Sequence, residues 1–161
     1  MRIVTHNKNK YMEYRELFER ENIEIEWINL EYPEIQADEL EEIVKFSINY
    51  LIDRIDKPFF IEDAGLFIKT LNGFPGPYSS YVHKKIGNSG ILKIMVGEKN
   101  RDAEFRAVIG YYDGSIHIFS GSVMGKISFE EKGKNGFGYD PIFVPEGSNK
   151  TFAEMDIDKK N

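Results

Sequence analysis

Residues 2–18 read RIVTHNKNKYMEYRELF and contain the transition that decides the fold. The β-branched run from Arg2 to Thr5 predicts a short first strand. From Lys8 onward, apolar residues recur at helical spacing among charged ones, at Tyr11, Tyr14, Leu17 and Phe18. The sequence therefore predicts a helix directly after the strand. A strand followed at once by a helix is typical of an α/β fold.

Strand and helix signals continue to alternate through the first half of the chain. Ile23, Ile25 and Trp27 alternate with glutamates, which predicts a half-buried strand. Residues 29–39 have no periodicity and predict a loop, and a long apolar face predicts a helix from about Leu40 to Ile55. Phe59-Phe60-Ile61 is then expected to begin a short buried strand that ends at Glu62-Asp63.

The second half is richer in strand signals. Two helices, Tyr78–Ile86 and Ser89–Met95, are expected on either side of Gly87-Asn88, with Asn88 capping the second. Asp113-Gly114 between two extended runs predicts a hairpin with a type I′ turn. Further extended segments are expected at 123–127 and 139–144. The order of elements predicts an α/β fold with a mixed β-sheet flanked by helices.

Composition limits the class of protein. The 161 residues are 41% hydrophobic, which is enough for one domain over residues 1–161. The formal net charge of -6 argues against a nucleic-acid partner. The absence of cysteine excludes disulfides and thiolate metal sites. No apolar run is long enough to span a membrane and the start lacks a signal-peptide core, so we expect a cytoplasmic protein with no membrane partner.

The segment between the first strand and the first helix is a candidate phosphate site. Thr5-His6-Asn7-Lys8-Asn9-Lys10 combines two lysines with the N–H groups of a helix N-terminus. It does not match the Walker A pattern. The alternative is that Asn7 only caps the helix while the lysines are solvated, and spacing alone favours this alternative.

The pair Glu62-Asp63 is a candidate metal site. Two carboxylates leaving an apolar strand are unfavourable unless they are paired, solvated or metal-bound. Oxygen ligands without sulfur or clustered histidine suit Mg²⁺. The alternative, a strand-to-turn boundary with both acids in water, is about equally favoured. One residue of the acidic stretch 31–42 could complete the site, but the pattern does not say which.

The segment Gly136-Phe137-Gly138-Tyr139-Asp140-Pro141 is a candidate base-binding site. Aromatic rings beside a carboxylate can stack on a base and accept hydrogen bonds from its edge. A tight turn with two core aromatics is the simpler interpretation of these residues alone. The three histidines, His6, His83 and His117, lack the spacing of metal ligands.

Six segments occur in one order along nearly the whole chain. They are Thr5-His6-Asn7-Lys8-Asn9-Lys10, Tyr32-Pro33-Glu34, Glu62-Asp63-Ala64-Gly65, Gly73-Phe74-Pro75-Gly76-Pro77-Tyr78, Phe137-Gly138-Tyr139-Asp140-Pro141 and Thr151-Phe152-Ala153-Glu154-Met155. Together they resemble the motifs of the inosine triphosphate pyrophosphatase family, also called dITP/XTP pyrophosphatases. The first segment corresponds to the family's Thr-Gly-Asn-x-x-Lys.

The resemblance implies a role for each matching residue. Glu34 and Asp63 would ligate Mg²⁺, with Mn²⁺ as a substitute, and Asp63 would also be the catalytic base for the attacking water. The substrate-binding residues would be Thr5, His6, Asn7, Lys8, Asn9 and Lys10 at the triphosphate, Ala64 beside the metal, and Phe137, Gly138, Tyr139, Asp140 and Lys160 around the base.

The resemblance also implies an architecture and a reaction. Members have two lobes, a long mixed sheet and a nucleotide cleft between the lobes, and are usually homodimers. They hydrolyse ITP, dITP and XTP to the monophosphate and pyrophosphate, which clears these deaminated nucleotides from the pool.

The sequence departs from the family pattern at three places. His6 replaces a glycine of the phosphate loop, and Ala64 stands where many members have a hydroxyl residue. The chain stops at Lys160-Asn161, before the family's Ser-His-Arg segment and last helix. We therefore expect this chain to prefer ITP and XTP over ATP only weakly.

Two other functions fit the same residues. One is a related pyrophosphatase acting on modified pyrimidine nucleotides, which would need a smaller pocket. The other is a nucleotide-binding sensor that does not hydrolyse its ligand. The presence of Glu34, Asp63 and Lys10 together speaks against the sensor.

Overall fold

A computed structural model describes residues 1–160 as six strands and four helices, joined by loops and short 3-10 turns. The strands are β1 (Arg2–Val4), β2 (Glu26–Ile28), β3 (Phe59–Ile68), β4 (Asp102–Tyr112), β5 (Ile116–Ile127) and β6 (Phe143–Pro145). The helices are α1 (Lys8–Arg20), α2 (Leu40–Leu51), α3 (Ser79–Ile94) and α4 (Ile157–Lys160).

The six strands form one mixed sheet in the order β2-β1-β3-β4-β5-β6. β1 pairs in parallel with β2 on one side and with β3 on the other, where Arg2 lies opposite Phe59 and Ile3 opposite Phe60. At the far edge, β6 is antiparallel to β5. The predicted α/β fold with a mixed sheet is confirmed.

The chain divides into two compact units. The first unit is Met1–Asp63 with Ala107–Ser120, and the second is Ala64–Arg106 with the chain from Gly121 onward. In the first unit, Tyr14 and Phe18 of α1 pack against Phe60 of β3. In the second, residues of β3, α3 and β5 share a core with Phe143 and Phe152.

The prediction for β3 was wrong in one respect that bears on function. The sequence predicts a short strand that begins at residues 59–61 and ends at Glu62-Asp63, whereas β3 continues to Ile68 and has both acids in its interior. Its neighbour β1 ends at Val4, opposite the start of β3. Glu62 and Asp63 therefore lie on β3 just beyond the point where the neighbouring strand β1 ends, and not at the end of their own strand.

Other local predictions differ from the structure in detail. The turn between β4 and β5 is not type I′, because only Gly114 of the Asp113-Gly114 pair has a positive φ. Segment 123–127 belongs to the continuous strand β5. The predicted break at Gly87 is confirmed by its φ of 63° and ψ of -171° inside α3. Among residues 1–160, no helix is both long and apolar enough to cross a membrane.

Candidate active site

The loop between β1 and α1 is held in place by its own side chains. Asn7 Oδ1 accepts hydrogen bonds from the N–H groups of Asn9 at 3.0 Å and Lys10 at 3.2 Å, so Asn7 is the N-cap of α1. Thr5 Oγ1 accepts from Asn7 N–H at 3.0 Å, and Trp27 donates to the Thr5 carbonyl at 2.8 Å. The capping interpretation of Asn7 is therefore confirmed, and the side chains of Thr5 and Asn7 hold the backbone of the loop.

The side chains of this loop differ in exposure. Thr5 is buried, whereas His6, Lys8 and Asn9 are exposed. His6 has a negative φ, so its backbone does not require the glycine that the family pattern has there. The replacement therefore changes which side chain faces solvent without straining the loop.

Lys10 points from α1 toward β3. Its Nζ donates to the backbone carbonyl of Glu62 at 3.0 Å and lies 3.7 Å from Glu62 Oε1. The side chains of Lys10 and Glu62 are only 17% and 8% exposed. Burial disfavours the charged form of Lys10, but Glu62, Asp63 and Glu34 outweigh it and raise the pKa of Lys10 above its usual value.

The same carboxylates affect the pKa values of two tyrosines, Tyr14 and Tyr32. Burial, followed by the charge of Glu62 and a hydrogen bond to it, raises the pKa of Tyr14. Burial, followed by the charges of Glu34, Asp63 and Glu62, raises the pKa of Tyr32. Both hydroxyls therefore stay protonated at neutral pH. The sequence assigned Tyr14 only to the apolar face of α1, and no local signal pointed to its contact with Glu62.

The carboxylates around Lys10 can be compared with the ligands that Mg²⁺ prefers. Three carboxylates act on one lysine, which leaves an excess of negative charge, and every donor is an oxygen. Glu62 Oε1 is buried and has no hydrogen-bond partner among residues 1–160. Within the same residues, no three His, Asp or Glu side chains are grouped closely enough to hold a metal ion. One or two carboxylates with water and phosphate fit Mg²⁺, so the donor set is compatible with this ion.

Glu34 lies in an irregular segment, and its charge raises the pKa of Lys10 and of Tyr32. The segment 29–39 has no regular secondary structure, as predicted, and Glu34 is exposed. Ser47 of α2 donates a hydrogen bond to the Pro33 carbonyl at 3.2 Å, which fixes the loop beside Glu34. Ala64 is half-buried in β3 and follows Asp63 directly.

The candidate base-binding segment lies in the second unit. Asp140 accepts hydrogen bonds from Phe137 N–H at 3.0 Å and from Lys160 Nζ at 2.7 Å. Lys160 Nζ also lies 4.9 Å from the centre of the Phe137 ring. Gly136 has a φ of 70°, and a Cβ there would overlap the Asp140 carboxylate. The structure thus brings Phe137 and Asp140 together with Lys160, which is 20 residues from Asp140 in the sequence.

Tyr139 is a buried residue of this segment, and its side chain makes contacts with the core. It is 4% exposed, its hydroxyl donates to the Ser79 carbonyl at 2.7 Å, and its ring forms a T-shaped contact with the ring of His83. Burial raises its pKa. Phe137 and Gly138 are half-buried, so they are the more accessible part of the predicted base-binding segment.

Asn88 supports this segment in a way that the sequence did not predict. Its Nδ2 donates to the Gly138 carbonyl at 3.0 Å, and its Oδ1 is buried without a hydrogen-bond partner among residues 1–160. The prediction that Asn88 caps the second part of α3 was therefore wrong. Its role depends on a residue 50 positions away, which local patterns do not reveal.

Comparisons with known proteins agree with this arrangement of motifs. A family model described as the Ham1 family matches residues 1–161. The chain is 54% identical over 159 residues to the dITP/XTP pyrophosphatase of Pyrococcus horikoshii and 53% identical over 158 residues to that of Thermococcus kodakarensis. Each alignment covers 98% of this chain and 86% of the relative.

Solved structures show the same fold. The HAM1 protein from Coxiella burnetii is 28% identical and has a TM-score of 0.80, covering 100% of this chain and 90% of that one. The Staphylococcus aureus Ham1 protein is 26% identical with a TM-score of 0.78, covering 99% of this chain and 89% of that one.

Proposed function

The chain belongs to the Ham1 family, and we propose that it hydrolyses the deaminated purine nucleotides ITP, dITP and XTP to the monophosphate and pyrophosphate. The observation that carries this proposal is the position of Lys10, whose Nζ lies 3.0 Å from the carbonyl of Glu62, the residue next to Asp63, and whose pKa is raised by Glu62, Asp63 and Glu34. The names of the similar dITP/XTP pyrophosphatases supply the substrate class.

The acidic group is assigned to the metal and to the attacking water. We assign Glu34 and Asp63 as the residues that hold Mg²⁺, or Mn²⁺ in its place. When bound, the ion neutralises negative charge on the phosphate oxygens. Asp63 accepts the proton of the water that attacks the α-phosphorus, while the bond to the leaving pyrophosphate breaks.

The first loop is assigned to the triphosphate. Lys10 stays charged at neutral pH because the neighbouring carboxylates raise its pKa. It therefore supplies a fixed positive charge for the phosphates. Thr5, His6, Asn7, Lys8 and Asn9 complete the loop, with the exposed Lys8 as its second cation.

The second unit is assigned to the base. Phe137 offers a half-buried ring, and Lys160 offers a cation held by Asp140 at 2.7 Å. Deaminated purines present a keto oxygen at the six position, which accepts a hydrogen bond from such a cation. Adenine presents an amino group there, so binding of ATP would leave the donor unpaired.

A turnover screen tests the proposal. Purified protein with Mg²⁺ is given dITP, ITP, XTP, GTP, ATP and the pyrimidine triphosphates, and pyrophosphate and orthophosphate are measured separately. We expect pyrophosphate from the deaminated purines and loss of activity with EDTA. Preference for a pyrimidine substrate, orthophosphate as the only product, or binding without turnover would each contradict the proposal.

The Asp63→Asn variant tests the catalytic base in the same screen. This change keeps the shape of the side chain and removes its charge and basicity. We expect turnover of dITP to fall by about 100-fold or more, the range typical of a lost general base, with little change in the unfolding temperature. An active Asp63→Asn variant would show that the base is another residue.

We also propose that the protein acts in the cytoplasm as a homodimer. The support for the homodimer is the family resemblance, and the support for the location is the sequence composition. Light scattering on the purified protein measures its mass directly, and a monomer at the assay concentration would contradict the dimer.

A further inference from the structure

Glu62 is a buried carboxylate that the assignments above leave without a role. Its side chain is 8% exposed, within the apolar strand β3. Successive side chains of a strand point to opposite faces, so Glu62 shares the face of Phe60, whereas Asp63 does not. Phe60 packs against Tyr14 and Phe18 of α1, so Glu62 faces α1.

Lys10 of α1 contacts Glu62 directly. Its Nζ donates to the Glu62 backbone carbonyl at 3.0 Å and lies 3.7 Å from Glu62 Oε1. Burial and the charge of Glu62 also raise the pKa of Tyr14, further along the same helix. Lys10 and Tyr14 are four residues apart, which places them on one side of the helix. Glu62 therefore connects the first turn of α1 to β3.

The position of the Lys10 ammonium matters because other acids attract it as well. Asp63 and Glu34 also act on Lys10 electrostatically, and both are assigned to the metal. If Lys10 paired with either of them, it would compete with a divalent cation for the same carboxylate. An ammonium has three N–H donors, so Lys10 can contact Glu62 and still donate to a phosphate.

We propose that Glu62 is a positioning residue that holds Lys10 apart from Asp63 and Glu34 and directs its ammonium toward the polyphosphate. Tyr14 fixes the Glu62 carboxylate for this purpose. This inference rests on the proposed function, because it assumes that Lys10 meets the phosphates of a nucleotide.

A double-mutant cycle tests whether Glu62 acts through Lys10. The variants are Glu62→Gln, Lys10→Met and the combination of both, in the full chain. Isothermal titration measures the dissociation constants of Mg²⁺ and of α,β-methylene-dITP with Mg²⁺, and steady-state kinetics with dITP give kcat and KM. Because the first readout needs no turnover, it is independent of the chemical step.

We expect Glu62→Gln to weaken binding of the analogue by about tenfold and to raise KM more than it lowers kcat, as for one lost charged contact. Mg²⁺ binding should weaken as well. In the Lys10→Met background, the same change should have less than about twofold effect on analogue binding, because residues that act as a unit are not additive. Equal effects in both backgrounds, or unchanged binding in Glu62→Gln, would overturn the proposal.

Two further variants separate positioning from folding. Tyr14→Phe removes one hydroxyl and keeps the ring contacts with Phe18 and Phe60. It should weaken analogue binding in the same direction by about threefold, in the range of one neutral hydrogen bond. Glu62→Asp keeps the charge and should bind the analogue better than Glu62→Gln.

These variants also decide the matter if Glu62→Gln does not fold. Wild-type binding in Tyr14→Phe would then contradict the proposal. The wild-type protein tests the proposed function on its own: if it does not release pyrophosphate from dITP, that function fails, whereas an active wild type with an additive cycle refutes only the role of Glu62.

Discussion

At the scale of single residues, Asp140 and Lys160 form an ion pair whose side chains are 5% and 14% exposed. Asp140 also accepts a hydrogen bond from Phe137 N–H, so it holds the segment and the cation together. Removing one partner of a buried ion pair leaves the other charge desolvated. The pair therefore contributes to stability as well as to the proposed base site.

We expect Asp140→Asn to lower the free energy of unfolding by about 3 kcal/mol, as measured by urea denaturation. The matched control is Asp140→Asn with Lys160→Met, which removes both charges. This double variant should be more stable than the sum of the single changes predicts. Additive losses would show that the two charges do not stabilise each other.

At the scale of elements, β3 passes close to the turn that precedes α3. A Cβ on Gly65 would lie 2.5 Å from the Gly76 carbonyl oxygen, which is backbone and cannot move aside as a side chain would. The turn is fixed by Ser79, which donates to that carbonyl at 2.6 Å and accepts from Leu66 N–H at 2.8 Å. Glycine at 65 is therefore required by this close approach.

We expect Gly65→Ala to lower the free energy of unfolding by about 1–3 kcal/mol, because overpacking displaces the turn. Gly121→Ala in β5 is the matched control, since a Cβ there has no atom within 4 Å. The control should unfold at the wild-type urea midpoint. A Gly65→Ala variant as stable as the control would show that the turn moves without loss.

At the scale of the whole molecule, two tyrosines link stability to alkaline pH, the half-buried Tyr14 and the buried Tyr139. Tyr14 lies in the first unit and Tyr139 in the second. Burial raises the pKa of each above the ordinary value of 10.0. A raised pKa in the folded state means that stability is fully present below pH 10 and falls above it, as the unfolded chain loses these protons first.

We expect urea unfolding to show constant contributions from these tyrosines up to about pH 9.5. Above pH 10, each of the two tyrosines should remove up to about 1.4 kcal/mol per pH unit from the free energy of unfolding. Tyr14→Phe and Tyr139→Phe should each fall less steeply than the wild type between pH 10 and 11. Identical slopes in all three proteins would contradict the linkage.

The sequence by itself determined the elements whose signals are local. The apolar spacing of α1, the break at Gly87 and the two extended runs around Asp113-Gly114 are confirmed as helix, kink and hairpin. Six motifs in order were enough to identify the family. The assignment of individual site residues, the single domain over 1–161 and the weak preference over ATP stay predictions.

Only the tertiary structure decided how the acidic residues are used. Acidic residues are unfavourable in strands, so the sequence predicts a strand end at Glu62-Asp63. In the fold, Lys10 of a distant helix pairs with Glu62 inside β3, and β4 gives the strand a second neighbour. Asn88 likewise bonds to Gly138, and not to its own helix. Each contact joins residues about 50 apart, and such contacts exist only once the chain has folded.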